Sequence, residues 1–329
     1  MILLFKKGNM NFSSNINHTR SRAPKPIDSM ALYFAAKHET TIIVANSSQR
    51  QPAFTTSFPR DSYFSSIAMQ ADWTSYYIPQ NPEKYDWKEH RYGTHSQQVL
   101  YLCSPLGHQR YPVLVWFHGG GMVGDYREIP ELFWDGTLGI VEVRYRTIPE
   151  NKATTTLDAL EDAATALAWV FAHLDEFGGD TSKIFVGGMS AGGWLAAMLA
   201  MAPQFLAKHG IDHRKLAGFL PLSGQMTTHF QLKEDLHYDD AHLGCHPVID
   251  QYAPLYYCSA DVPPCLLVTG QGGLDMPGRP EENRLLAATL QALGHPDAHH
   301  LILEGVDHFG SLMCGGYPMQ RFIQRIVAK

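Results

Sequence analysis

Lys183-Ile-Phe-Val-Gly-Gly-Met-Ser-Ala-Gly-Gly-Trp194 decides the fold. Its first four residues, Lys183 to Val186, form a short apolar run that reads as a buried strand, and Trp194 to Met201 reads as a helix rich in Ala and Leu. Between them lies Gly188-Met189-Ser190-Ala191-Gly192, the G-x-S-x-G pattern in the strand–turn–helix setting that a nucleophile elbow requires. A tight turn there lifts the Ser190 hydroxyl out of the sheet, and only residues as small as Gly188 and Gly192 permit the backbone approach. The helix N-terminus beneath the serine favours developing negative charge.

Working outward, further apolar runs sit between turn signals. Gln98-Val-Leu-Tyr-Leu, Val113 to Phe117 and Gly139 to Tyr145 precede the elbow; Leu216 to Leu222, Pro264 to Thr269 and Leu301 to Leu303 follow it. Helical spacing links Leu157, Leu160, Ala164, Leu167, Phe171 and Leu174, and predicts further helices over Glu281 to Leu293 and Met319 to Val327. Strands alternating with helices predict an α/β fold, its mostly parallel central sheet flanked by helices. Residues 1–90 lack long periodic elements, apart from a short helical stretch at Ser29 to Lys37, and read as an N-terminal extension, a cap or lid. Residues 91–329 read as the catalytic domain.

Other residues complete the chemistry. His118-Gly119-Gly120-Gly121 follows the run Val113 to Phe117. Acyl transfer through a tetrahedral intermediate needs unshielded backbone N–H groups, so Gly119 and Gly120, with Ala191, are the expected oxyanion hole. His118 and Gly121 read as structural parts of that loop, as Gly188 and Gly192 are of the elbow. A general base is expected past a late strand end, and His308 fits, in Gly305-Val-Asp-His-Phe-Gly310. Its rivals His295, His299 and His300 fall before or within the strand, where a solvated surface is expected. Asp275 is the first carboxylate beyond Cys265-Leu-Leu-Val-Thr269 and the expected acid; Glu281 and Glu282 are the alternatives, in a helix start where acidic residues are favoured anyway.

The composition removes other classes. The 329 residues carry 26 Lys+Arg against 32 Asp+Glu, a net charge of -6, with no Lys/Arg block to hold a nucleic-acid backbone. With 45% hydrophobic and 18% charged residues the chain is of globular composition. Five cysteines, Cys103, Cys245, Cys258, Cys265 and Cys314, form no C-x-x-C pair, so free thiols are expected rather than disulfides or a zinc ribbon. The 17 His show no metal-ligand spacing, and no metal or organic cofactor is called for. No apolar run approaches the ~18 residues of a membrane span. Met1-Ile-Leu-Leu-Phe-Lys-Lys places its charges in the wrong order for a signal peptide, so a cytoplasmic location is the expectation.

Together, His118 to Gly121, Tyr145-Arg-Thr-Ile-Pro-Glu150, Gly188 to Gly193 and Asp307-His308 resemble the α/β-hydrolase esterases of the hormone-sensitive-lipase type. Tyr92-Gly-Thr-His-Ser-Gln-Gln98 and Arg279-Pro-Glu-Glu-Asn283 are similar to a subgroup holding acetyl-esterase and kynurenine-formamidase relatives. The resemblance covers about Tyr92 to Lys329, and implies an α/β-hydrolase fold and serine-ester chemistry. One departure stands out: relatives often carry acidic residues straight after the strand glycine, where this chain has Gln271-Gly272-Gly273, which makes Asp275 the substitute.

The function expected is hydrolysis of short-chain acyl esters by a serine carboxylesterase through an acyl-enzyme. The stretch from Gly224 to Tyr252 is short, with Met226, His229, Phe230 and Tyr238 available to line a small acyl site. Two alternatives keep the same triad, a deacetylase of acetylated sugars and a formamidase-type amidase, with Trp73, Tyr76 and Tyr77 available to stack on a ring. A third, a non-catalytic hydrolase-fold binding protein, is disfavoured because nucleophile and histidine are both present. The expected partner is a small-molecule ester; a homodimer is left open.

Overall fold

A strand buried on both faces must be apolar throughout, and most strands of this chain are. In the computed structural model they are β1 (Ile42–Ile43), β2 (Tyr85–Arg91), β3 (Val99–Pro105), β4 (Tyr111–Phe117), β5 (Gly139–Val143), β6 (Gly179–Met189), β7 (Gly218–Leu222), β8 (Cys265–Gly270) and β9 (Ala298–Glu304). They form one sheet of order β1-β9-β8-β7-β6-β4-β5-β3-β2. Apart from β3, which runs against both neighbours, every described pairing is parallel. The structure describes residues 42–43, 81–125, 129–149, 151–238 and 246–329. The helix expected at Ser29 to Lys37, residues Trp73, Tyr76 and Tyr77, and Cys245 lie outside these.

Side chains alternate across the sheet. Val113, Val115 and Phe117 of β4 enter one apolar layer and Leu114 and Trp116 the other. The first layer is completed by α1 (Thr156–His173), α2 (Ala191–Met201) and α5 (Arg279–Ala292), through residues such as Leu160, Leu167, Leu195, Leu286 and Leu290. Short helices α3 (Pro203–Ala207) and α4 (Phe230–Asp235) lie in the connections. The second layer is covered by α6 (Gly310–Val327), through Met319, Phe322 and Ile323. Every residue of α2 is buried, which explains why its sequence is apolar on all sides. Thr155 caps α1 in a reciprocal box with Asp158.

Three elements differ from the sequence expectation. Strand β2 begins at Tyr85, inside the stretch assigned to the extension; Asp86, Lys88, Glu89 and Arg91 are exposed on this edge strand, so no apolar run marks it. Helix α6 begins at Gly310 rather than Met319, because Gly315, Gly316 and Pro318 conceal it. A methyl group on Gly315 would lie 2.6 Å from Leu222 Cδ1, and one on Gly316 2.8 Å from Pro130 Cβ, so close packing rather than chain breaking explains these glycines. The third difference concerns the region after β7. Met226 is fully buried in the apolar core and His229 is 1% exposed beside Trp194, so both are packed into the interior. Phe230 is half-buried against the His229 ring, and Tyr238 donates to Asp250 Oδ2 at 2.5 Å.

Cys103 and Cys265 are buried and Cys258 and Cys314 half-buried, all as free thiols. Burial pushes the Cys265 thiol up to about 12, which keeps it a protonated, unreactive core residue.

Candidate active site

Parallel strands bring their carboxyl ends to one edge of the sheet, and the chemistry-bearing residues follow these ends. Ser190 stands between the last residue of β6 and the first of α2, with φ 55° and ψ -112°. That backbone is costly for a residue with a side chain, on the order of 1–3 kcal/mol. Contacts on both sides hold it: Ser190 N donates to Leu222 O at 2.8 Å, and its carbonyl accepts from Trp194 N at 3.1 Å. A methyl group on Gly192 would fall 1.9 Å from Phe117 O, and one on Gly188 2.5 Å from the same oxygen, so both positions admit only glycine.

The His118 loop lies against this turn. A methyl group on Gly119 would come within 3.3 Å of Met189 O and 3.7 Å of Ser190 Cβ. Ala191 opens α2, so its N–H has no acceptor within the helix. His118 is buried; its Nδ1 lies 2.7 Å from Gly119 O, which only accepts, so Nδ1 carries the proton. The ring stacks on Tyr145 at 4.1 Å, and Tyr145 Oη donates to His118 O at 2.9 Å. Asp125 lies on the far side, 3.6 Å from His118 Nε2 and outside hydrogen-bond reach of it, in an ion pair with Arg144 at 2.6 Å. Burial pushes the His118 ring below its usual value despite Asp125, and the neutral ring braces the loop. Tyr145 was visible in the sequence only as part of a family motif; nothing in its neighbours announced the stacking.

Asp275 Oδ1 lies 2.6 Å from His308 Nδ1. The carboxylate only accepts, so Nδ1 carries a proton, which leaves Nε2 as the nitrogen able to act as a base. Burial alone would raise the Asp275 carboxyl, but the hydrogen bond and charge of His308, with Ser223 and the Met276 amide, hold it down at about 2. Asp275 and His308 are buried, at 6% and 4% exposure, and Ser190 is at 9%. Among the described residues, no hydrogen bond joins the Ser190 hydroxyl to the His308 ring. Such contacts are commonly long in a substrate-free enzyme.

The alternatives are engaged elsewhere. Glu281 is exposed, while Glu282 accepts from the Thr227 amide at 3.0 Å and hydroxyl at 2.8 Å and faces Arg279 Nε at 3.4 Å. Of the rival histidines, only His299 is solvated as expected. His295 is buried, with Nε2 2.8 Å from Val262 O, and His300 is half-buried against Thr269 Oγ1 at 2.9 Å. His295, ahead of β9, serves a backbone carbonyl and His300 a hydroxyl on the neighbouring strand, demands the sequence pattern does not reveal.

Residues 114–276 match the alpha/beta hydrolase fold family. Sheet order, elbow and family match agree on an α/β-hydrolase fold, and the branch the chain resembles is that of the hormone-sensitive-lipase-like esterases. The match includes His118 to Gly121, Ser190 and Asp275, and stops short of His308. Among curated relatives, the carboxylic ester hydrolase LipN of Mycobacterium tuberculosis is 35% identical over 111 residues, 32% of this chain and 29% of that protein. The carboxylesterase NlhH of the same species is 36% identical over 101 residues, 29% of this chain and 31% of its own length. The chain thus spans about a third of the length of the curated relatives it matches. Among solved structures, esterase B of Lactobacillus rhamnosus superposes with a TM-score of 0.61 at 18% identity, over 80% of this chain and 92% of that one. Propionate-bound esterase 2 of Thermogutta terrifontis gives 0.57 at 22% identity, over 75% and 96%. Among the described residues no helix is long and apolar enough to cross a membrane.

Proposed function

We propose that the chain is a serine carboxylesterase acting on small acyl esters. Ser190 Oγ attacks the ester carbonyl carbon while His308 Nε2 takes its proton. The N–H groups of Gly119, Gly120 and Ala191 receive the developing oxyanion. His308 then returns the proton to the departing alkoxide, leaving an acyl-enzyme. Water attacks that ester, gives its proton to His308, and the acid leaves as Ser190 regains the proton. Asp275 keeps the imidazole in the tautomer with Nδ1–H and stabilises the imidazolium.

The observation that carries this reading is the 2.6 Å Asp275–His308 hydrogen bond, on the sheet edge where Ser190 stands in its strained turn. A small acyl group is preferred because the stretch from Gly224 to Tyr252 is short and its Met226 and His229 are packed into the interior. The test is hydrolysis of p-nitrophenyl esters from acetate to palmitate by wild type and Ser190→Ala. The reading expects turnover concentrated at two to four acyl carbons and abolished in the variant. Turnover that survives Ser190→Ala, or none at any chain length, would contradict it.

A further inference from the structure

We propose that Ser223, which directly follows β7, is a positioning residue that orients the Asp275 carboxylate, with the turn Leu222–Gly224 as a bracket between elbow and acid. This rests on the hydrolase reading above and adds a group that no motif in the sequence marks.

Asp275 accepts four hydrogen bonds. Oδ1 takes His308 Nδ1 at 2.6 Å and the Met276 amide at 2.7 Å; Oδ2 takes Ser223 Oγ at 2.6 Å and the Gly270 amide at 2.8 Å. Two of the four are backbone groups, so among the described residues Ser223 is the only side chain besides His308 that holds this carboxylate. The hydroxyl proton has one destination. Ser311 Oγ lies 3.3 Å from Ser223 Oγ, but the Ser311 proton goes to His308 O at 2.6 Å, a carbonyl that only accepts. The Ser223 proton therefore goes to Asp275 Oδ2, also an acceptor only.

The backbone around Ser223 is built to hold that hydroxyl in place. Ser223 is fully buried and has φ 45°, in the left-handed region where a residue with a side chain is uncommon. Its N–H donates to Val268 O at 2.7 Å, and its carbonyl accepts from Arg279 Nη1 at 3.1 Å. The Gly224 carbonyl accepts from Asn283 Nδ2 at 2.8 Å, and Leu222 O accepts from Ser190 N at 2.8 Å. One three-residue turn thus touches the elbow, β8, α5 and the acid. Ser190 and Ser223 are both strained and follow adjacent strands, and the hydrogen bond from Ser190 N to Leu222 O joins their turns.

Removing the hydroxyl leaves Oδ2 with the Gly270 amide alone, so the carboxylate loses its orientation and carries more unshared charge toward the imidazolium. The charged groups nearby are few. Asp307 caps the Gly310 amide at 2.7 Å, Glu282 is held by Thr227, and Arg279 is the buried cation of the bracket.

The experiment compares Ser223→Ala and Ser223→Gly with wild type on p-nitrophenyl acetate, with melting temperatures alongside. Both variants are expected to lose about 10- to 100-fold in kcat, the range for a hydrogen bond to a charged group, with KM within about twofold. The acid limb of kcat/KM is expected to move to higher pH. Glycine adopts φ 45° without strain, so Ser223→Gly should melt higher than Ser223→Ala while losing the same activity. Unchanged kcat in both variants, or a loss that only follows the melting temperature with an unmoved acid limb, would overturn the proposal. If wild type hydrolyses no ester, the hydrolase reading falls, and NMR titration of the His308 ring decides the bracket alone. An upward shift in Ser223→Ala supports it, and an unmoved titration overturns it.

Discussion

Ser190 is where a general preference of the chain is overridden, since a residue with a side chain is held at φ 55° between a strand and a helix. The override is legible in sequence because it leaves glycines around it; Gly188 and Gly192 are there because Phe117 O is too close for a methyl group. Gly192→Ala is therefore expected to destabilise the fold by about 3 kcal/mol, read as a falling denaturant midpoint. His308 was legible by its place after the last strand. Asp275 was legible only as the first carboxylate after β8, with no motif of its own, since the usual acidic position holds Gln271. Ser223 gave no signal, because a serine before a glycine after a strand reads as any turn. Asp275→Asn is expected to lower kcat by about three to four orders of magnitude, because the amide favours the wrong imidazole tautomer. Steady-state kinetics on p-nitrophenyl acetate, with circular dichroism to show intact folding, checks this.

At the scale of elements, legibility followed burial. Strands β4, β5, β7 and β8 and the second half of β6 announced themselves because both faces are covered and nearly every residue is apolar, whereas the polar start of β6, ahead of Lys183, did not. Edge strand β2 did not, because its solvent side carries charges, and α6 did not, because its glycines and proline suit a helix only once it is packed. The end of α6 is tied to the start of β9 by Asp297, which accepts from Arg325 at 2.8 and 2.7 Å and from Lys329 at 3.0 Å. Asp297 is nearly buried, so its charged hydrogen bonds are of the stronger kind. Asp297→Ala should cost about 2 kcal/mol of stability, seen as a lower denaturant midpoint, with kcat unchanged because Asp297 precedes the start of β9 while His308 follows its end.

Across the whole molecule, pH couples the site to stability. The Asp275 carboxyl is held at about 2 in the folded protein, below its usual value of about 4. A group depressed by folding stabilises the native state above its unfolded pKa, and that contribution is lost as pH falls through the folded one. Stability is thus expected to fall between about pH 4 and pH 2, and Asp275→Asn should flatten that part of the curve. Thermal melts across this window check both. The order of motifs along the chain, glycine loop, elbow, acid and histidine, let the fold be read because each follows a strand end. The substrate is not readable in the same way, because shape and polarity around the serine depend on residues far apart in sequence.

The proposed chemistry stands on Ser190 as a nucleophile activated by His308. The most direct measurement is titration with a fluorophosphonate, followed by mass spectrometry of the modified peptide. One equivalent is expected to bind at Ser190, with no labelling of Ser190→Ala and labelling slowed by orders of magnitude in His308→Ala. A chain that folds normally and takes no label, or takes it at another residue, would contradict it.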